Sequence, residues 1–157
     1  MTETQQPCSS PEARQFDFWL GDWELTWPAE QLGGEEGELG TGVNRIERLF
    51  GDCVIEENFA VTGGDFLGRS HSVYDSRLGL WYQTWVDNSG GYIALSGGFE
   101  GWEMTLTTQP TIYDGVTRVN RMIFSEITSE SLLWRWQGSS DDGVTWSELW
   151  TIDYRRR

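Results

Sequence analysis

The sequence predicts an all-β protein: one closed, antiparallel, up-and-down β-barrel of about ten strands, preceded by a short helix. After Phe16, apolar residues recur with a period of two, which is typical of strands that bury one face. Short turns rich in glycine separate these runs. A meander of ten strands leaves two open edges unless the last strand pairs with the first. Closure removes both edges, and we therefore expect a barrel.

The length of 157 residues fits a single domain. We divide the chain into a flexible N-terminal segment, residues 1–15, and a barrel domain, residues 16–157. Within the first segment, "SSPEAR" offers a serine cap and a proline in the first turn of one short helix. No other part of the chain shows a helical pattern.

The strands are predicted in chain order. The first is "DWELTW", in which Trp23, Leu25 and Trp27 alternate with polar residues, and a long, acidic, glycine-rich loop over residues 28–42 follows it. The other nine are "VNRIERLF", "CVIEENFAV", "FLGRSHSVYD", "LWYQTWVD", "YIALSGGF", "WEMTLTT", "VTRVNRMIFSEI", "LLWRWQG" and "TWSELWTIDYR". Because most of the turns are short, a barrel is favoured over a two-sheet sandwich, which needs longer crossovers.

The charge and the cysteines restrict the class of partner and the compartment. A net charge of −14 repels nucleic acid and anionic membranes, so we expect neither as a partner. The first residues do not resemble a secretion signal, and no run of residues is long enough for a membrane span. The spacing of Cys8 and Cys53 suggests neither a disulfide framework nor a zinc site. We expect a reduced, cytoplasmic protein, monomeric or homodimeric, without a metal or cofactor.

One face of the strand "LWYQTWVD" has the character of a pocket wall. Trp81, Gln83, Trp85 and Asp87 share this face, since side chains alternate along a strand. Aromatic rings supply contact area in ligand pockets and a few polar groups orient the ligand. The alternative is a surface face with incidental tryptophans.

Neighbouring strands add further candidates for the pocket. Ser70, Ser72 and Tyr74 share one face of the preceding strand, where the small serines would leave room for a guest. Trp136 supplies another ring. The predicted ligand-binding residues are Glu57, Ser70, Ser72, Tyr74, Trp81, Gln83, Trp85, Asp87, Arg121 and Trp136.

Glu57 and Arg121 interrupt apolar faces, and we interpret them as a buried ion pair. The alternative is two solvated charges on strand edges. His71, the single histidine, is predicted on the face opposite Tyr74, which favours a surface role over that of a haem ligand. Cys53 is interpreted as a packed apolar residue.

Gly21-Asp22-Trp23, after a short helix and at the start of the first strand, resembles the G-x-W signature of lipocalins and other calycin barrels. This resemblance implies that the tryptophan plugs the closed end and that a late arginine, Arg155 or Arg156, packs over its ring. A wider pattern is similar to a bacterial family of lipocalin-like proteins. It consists of "FDFWLGDW", "GDCVIEENF", "GRSHSVYD", "WYQTWVDNSGG" and "SSDDGVTW…YRR".

A second resemblance is local. Ser139, Asp141, Gly143, Thr145 and Trp146 fit the S-x-D-x-G-x-T-W pattern of the Asp-box hairpin in sialidase propellers. In that hairpin the aspartate accepts hydrogen bonds from its own turn, which is a structural role. A single copy in a chain of this length does not support a sialidase.

Together, these features predict a protein that binds a small apolar or aromatic molecule inside its barrel. Two other functions stay open. One is an isomerase, cyclase or lyase in which Glu57 or Asp87 acts as the general acid or base. The other is a carbohydrate-binding module that uses exposed tryptophans.

Overall fold

The computed structural model describes residues 6–157. Three short 3₁₀ helices occupy Glu12–Arg14, Asp17–Trp19 and Ala29–Leu32. Eleven strands are described, and in chain order they are β1 (Gly21–Pro28), β2 (Leu39–Leu49), β3 (Val54–Val61), β4 (Leu67–Asp75), β5 (Leu80–Asp87), β6 (Tyr92–Glu100), β7 (Glu103–Thr108), β8 (Thr111–Tyr113), β9 (Val116–Ser125), β10 (Ser131–Ser139) and β11 (Ser147–Arg156).

Ten of these strands form a closed antiparallel barrel, as predicted. The strands β1 to β7 pair in sequence, β7 pairs with β9, β9 with β10, and β10 with β11. The pairing of β11 with β1 closes the ring, with Trp23 opposite Arg156 and Leu25 opposite Tyr154. The short β8 pairs with β9 alone, as a hairpin beside the barrel.

Two details of the predicted strands are wrong. The prediction has no strand between "WEMTLTT" and "VTRVNRMIFSEI", whereas the structure has β8 there, because a tight turn at Asp114 and Gly115 folds three residues back onto β9. The predicted loop over residues 28–42 contains a 3₁₀ helix and the start of β2. Gly40 pairs with Trp27 of β1, and a Cβ there would lie 2.0 Å from the indole, so the glycine leaves room for the ring over the strand.

Aromatic residues of the opening segment close one end of the barrel, which we call the floor. Phe16 and Trp19 are buried and stack with ring centroids 5.0 Å apart. The Trp23 indole nitrogen donates to the Trp19 carbonyl at 2.7 Å. The Arg156 guanidinium lies 4.1 Å from the centre of the Trp23 ring and donates to the Leu20 carbonyl at 2.6 Å. The predicted arginine over the tryptophan is confirmed, with Arg156 in that position.

The N-terminal segment packs against the floor. The Ala13 amide donates to Ser10 Oγ at 3.2 Å, although the N-cap position itself is Pro11, and Ala13 is buried. Residues 1–5 of the predicted flexible segment lie outside the described residues.

A disulfide joins Cys8 to Cys53. The prediction of two unpaired cysteines, with Cys53 as a packed apolar residue, is therefore wrong. The two cysteines are 45 positions apart, and no sequence pattern reveals their pairing, which depends on the N-terminal segment lying beside the β2–β3 turn. The cytoplasmic prediction rested partly on free thiols, and disulfides persist mainly in oxidising compartments. The compartment therefore stays a prediction.

The hairpin between β10 and β11 has the bonding predicted from its Asp-box pattern. Asp141 Oδ1 accepts from the amides of Val144 at 3.1 Å and Thr145 at 2.8 Å, and from Ser139 Oγ at 2.7 Å. These bonds, with that of the Thr145 hydroxyl, lower the pKa of Asp141 to about 2. Asp141 is therefore a turn-stabilising residue.

Across residues 6–157, no helix has the length and apolar character needed to cross a membrane.

Candidate functional site

A cavity of about 200 Å³ lies within the barrel, away from the aromatic floor. Most of its wall is aromatic or aliphatic, and the polar exceptions are two carboxyl groups and one phenol. The lining residues are Glu57, Phe59, Phe66, Trp85, Asp87, Ile93, Met122, Trp134, Trp136, Trp150, Ile152 and Tyr154.

Trp85 is a rigid part of one wall. A Cβ on Gly68 would lie 2.0 Å from its indole, so the absence of a side chain on β4 lets the ring lie over the neighbouring strand. The indole nitrogen donates to Asp87 Oδ2 at 2.9 Å, and Phe66 stacks on the ring at 6.4 Å. With its nitrogen bonded and its face covered, Trp85 is held in one orientation before any ligand arrives.

The opposite wall is a group of three tryptophans from β10 and β11. Trp134 and Trp136 are parallel, with centroids 6.3 Å apart, and Trp150 meets Trp134 edge to face at 5.4 Å. Phe59 connects the two walls, since it contacts both Trp85 and Trp150. Among the described residues, the buried Trp150 Nε1 has no hydrogen-bond partner. The cavity is thus enclosed by rings that support one another.

Glu57, on β3, is the more buried of the two carboxyl residues that line the cavity, with 7% of its surface exposed. Its Oε2 accepts from Ser70 Oγ at 3.4 Å. Asn44 donates to the Tyr154 hydroxyl at 3.1 Å, and it also favours the ionised form of Glu57. These neutral groups do not replace water, so burial raises the pKa of Glu57 to about 8. The carboxyl group is therefore mostly protonated at neutral pH.

The buried carboxyl group predicts a pH-dependent stability. Between its ordinary value of 4.5 and the folded value of about 8, the unfolded chain has lost the Glu57 proton while the folded chain keeps it. Stability therefore falls as the pH rises through this window. Glu57→Gln cannot titrate, so we expect its stability relative to the unmodified protein to rise by about 2 kcal/mol from pH 5 to pH 7, at roughly 1.4 kcal/mol per pKa unit.

Urea denaturation of both proteins at the two pH values measures this difference. The exposed Glu100, changed to Gln, is the matched control and should show no such trend. A difference between Glu57→Gln and the unmodified protein that does not change with pH would contradict the placement of Glu57.

Four of the ten predicted site residues line the cavity: Glu57, Trp85, Asp87 and Trp136. Ser70 is fully buried behind Glu57, to which it donates. Ser72 and Gln83 lie on adjacent strands and bond to each other, with Gln83 Nε2 donating to Ser72 Oγ at 3.0 Å. This buried amide is therefore satisfied within the protein, outside the cavity wall.

Tyr74 and Trp81 lie at the floor instead of the cavity. The Trp81 ring meets the Phe16 ring edge to face, with centroids 5.3 Å apart. It also contacts the tilted Tyr74 ring, with centroids 5.6 Å apart. Its indole nitrogen donates to Gln15 Oε1 at 3.3 Å. Trp81 shares a strand face with Trp85, but β5 runs from the floor toward the open end, so the two rings serve different regions.

The predicted Glu57–Arg121 pair is wrong. The neighbouring Met122 faces the cavity, so alternation places Arg121 on the outer surface of β9. There, Arg121 Nε donates to Gln137 Oε1 at 2.7 Å, and the guanidinium lies 3.9 Å from the Trp146 ring centre. The strand is apolar on both faces, and its sequence therefore does not distinguish inside from outside.

His71 also faces outward, as expected, and its Nε2 lies 3.0 Å from Glu56 Oε2. The role of Asp87 is mainly structural. In addition to Trp85, it accepts from the amides of Ser89 and Gly91, both at 2.9 Å. The bonds with Ser89, Trp85 and Gly91 lower the pKa of Asp87 to about 2. A carboxylate bonded in this way is a poor general base.

Sequence reasoning missed most of the aromatic and aliphatic lining, together with Asn44 and Tyr154 beside Glu57. A signal existed for both polar residues. Asn44 is two positions from the buried Ile46, and Tyr154 is two positions from the buried Ile152. Residues two apart share a strand face, so each polar residue lies on an inward face. The missed lining residues are Phe59, Phe66, Ile93, Met122, Trp134, Trp150, Ile152 and Tyr154.

Comparison of the chain with models of known protein families and with curated protein sequences found no match.

Proposed function

We propose that this protein binds a small, mainly apolar or aromatic molecule in the barrel cavity, in the manner of a calycin-like carrier or sensor. The observation that carries the proposal is the cavity itself: about 200 Å³ enclosed by the rigid Trp85 wall and by the three tryptophans of β10 and β11. Ligand sites are concave and mostly apolar, with a few polar groups that orient the guest. The Arg156–Trp23 contact at the floor supports the calycin-like assignment.

The two alternative functions have less support. An enzyme with paired carboxylates would need Asp87 as a second acid or base, and Asp87 is engaged by Trp85 and by its own turn. A carbohydrate platform built on tryptophans would need several exposed indoles. Among the described tryptophans, Trp102 is the one that is largely exposed, at 87%, and the others are buried or partly covered.

Titration of the protein with 2-phenylethanol and with indole tests the proposal, with binding measured by calorimetry and by tryptophan fluorescence. We expect saturable binding to the unmodified protein. Trp136→Ala should weaken it about fivefold, because aromatic contacts contribute roughly 1 kcal/mol beyond buried area. Trp102→Ala removes an exposed tryptophan outside the cavity and should leave the affinity unchanged.

Equal losses in the Trp136→Ala and Trp102→Ala variants would contradict binding in the cavity. So would the absence of saturable binding to the unmodified protein by either probe or by a wider panel of neutral aromatic molecules.

A further inference from the structure

The charged groups of the cavity are all acidic. Glu57 and Asp87 line it, and none of the described lining residues is Lys, Arg or His. A ligand carboxylate or phosphate would meet two acids and no counter-charge. A ligand cation would meet complementary charge, and the net charge of −14 would also draw it toward the protein.

The rings favour the same ligand charge. The face of an aromatic ring carries partial negative charge, and indole attracts cations most strongly among the side-chain rings. Trp85, Trp134, Trp136 and Trp150 all line the cavity. Arg156 and Arg121 already occupy the faces of Trp23 and Trp146, but both contacts lie outside the cavity. Among the described residues, no arginine lies over the ring of a cavity tryptophan, so a cation there would have to come from the ligand.

Glu57 lacks a cationic partner of its own. The groups that face it are Ser70 from β4, Asn44 from β2 and Tyr154 from β11, with the acid Asp87 on the same cavity wall. Among the described residues, Asn44 Oδ1 is a buried acceptor without a donor. Glu57 has neutral donors only and lines the cavity, so its carboxyl oxygens are the acceptors that an ammonium group with three N–H donors matches.

We propose that the ligand is a small aromatic amine, bound with its ammonium group at Glu57 and its ring between the tryptophan walls. The inference rests on the proposed function. The size of the cavity sets the scale of the guest: an apolar cavity of about 150 Å³ holds one benzene molecule, so this one holds a single ring with a short chain.

Binding should release a proton. The amine enters as an ammonium ion and Glu57 begins as a carboxylic acid, so formation of the ion pair sends the Glu57 proton to solvent. Since the pKa of Glu57 in the free protein is about 8, the affinity should increase as the pH rises toward that value. Asp87 stays ionised and Tyr154 stays neutral over this range, because their pKa values are lowered and raised respectively.

The experiment compares 2-phenylethylamine with 2-phenylethanol, which differ only in the amine and the hydroxyl group. Calorimetry at pH 7.5 in two buffers of different ionisation enthalpy measures both the affinity and the protons released. We expect the amine to bind the unmodified protein roughly tenfold more tightly than the alcohol, as a charge-assisted contact requires. It should release about three-quarters of a proton, the fraction of Glu57 that a pKa of about 8 leaves protonated at pH 7.5.

Glu57→Gln should remove this preference, so that the amine and the alcohol bind with similar affinity, and it should abolish the proton release, because the amide neither titrates nor carries a charge. Glu100→Gln changes an exposed glutamate and should behave like the unmodified protein.

The outcomes separate the inference from the function on which it rests. If the alcohol binds and the amine binds no more tightly, the amine inference is overturned while cavity binding stands. If neither molecule binds, nor any other neutral aromatic probe, the proposed function fails and the inference with it. An amine preference that survives in Glu57→Gln would overturn the assignment of Glu57 as the counter-ion.

Discussion

Trp23→Ala is expected to lower the free energy of unfolding by about 3–5 kcal/mol, the usual cost of truncating a buried tryptophan. The ring is fully buried and meets Tyr154 edge to face at 5.7 Å. Its nitrogen holds the Trp19 carbonyl, and its face supports Arg156. Arg156 in turn donates to the carbonyls of Leu20 and Phe18. Removal of the indole therefore leaves both a void and loosened bonds at the floor, and the variant should fold poorly, since small domains have only about 5–15 kcal/mol of stability.

Trp85→Ala is the matched comparison, and it should cost less. One side of this ring faces the cavity, so fewer contacts are lost and water can enter the enlarged space. Trp81→Ala should behave like Trp23→Ala, because Trp81 packs against Phe16 at the floor. Denaturation curves of the three variants provide the measurement. Equal losses of unfolding free energy for Trp23→Ala and Trp85→Ala, or a greater loss for Trp85→Ala, would contradict the assignment of Trp23 to the floor and Trp85 to the cavity wall.

Removal of the Cys8–Cys53 disulfide has the second largest expected effect. The bond closes a loop with a sequence separation of 45 residues and thereby restricts the unfolded chain. The chain-entropy estimate for a loop of this length is about 4 kcal/mol, and measured values are commonly about 2–4 kcal/mol. We expect Cys8→Ser/Cys53→Ser to unfold at a clearly lower urea concentration than the oxidised protein.

A reducing agent provides the control for this prediction. It should lower the midpoint of the unmodified protein to about that of the double variant, and it should leave the double variant unchanged. If the oxidised and reduced forms of the unmodified protein unfold at the same midpoint, the disulfide does not stabilise the fold.

Much of the architecture follows from the sequence because it depends on local rules. The period of two after Phe16 identifies strands. Unpaired edge strands promote aggregation, and pairing of β1 with β11 removes both edges. The hairpin at Asp141 is equally local, since all of its bonds join residues within a few positions. The G-x-W resemblance placed Trp23 under an arginine, and the structure identifies that residue as Arg156.

Alternation along the sequence identifies which side chains share a strand face, whereas the depth of each side chain in the barrel depends on how the strands pack together. Trp81 and Trp85 have the same face and nearly the same sequence context, yet one packs in the floor and the other lines the cavity. Arg121 shows a second limit, because a strand that is apolar on both faces does not reveal its inward side. The partners of Glu57 and of Cys8 are likewise set by contacts between distant segments. The physical reason is common to all of these cases: alternation is a property of one strand, whereas depth, side and pairing arise from how ten strands close around a single core.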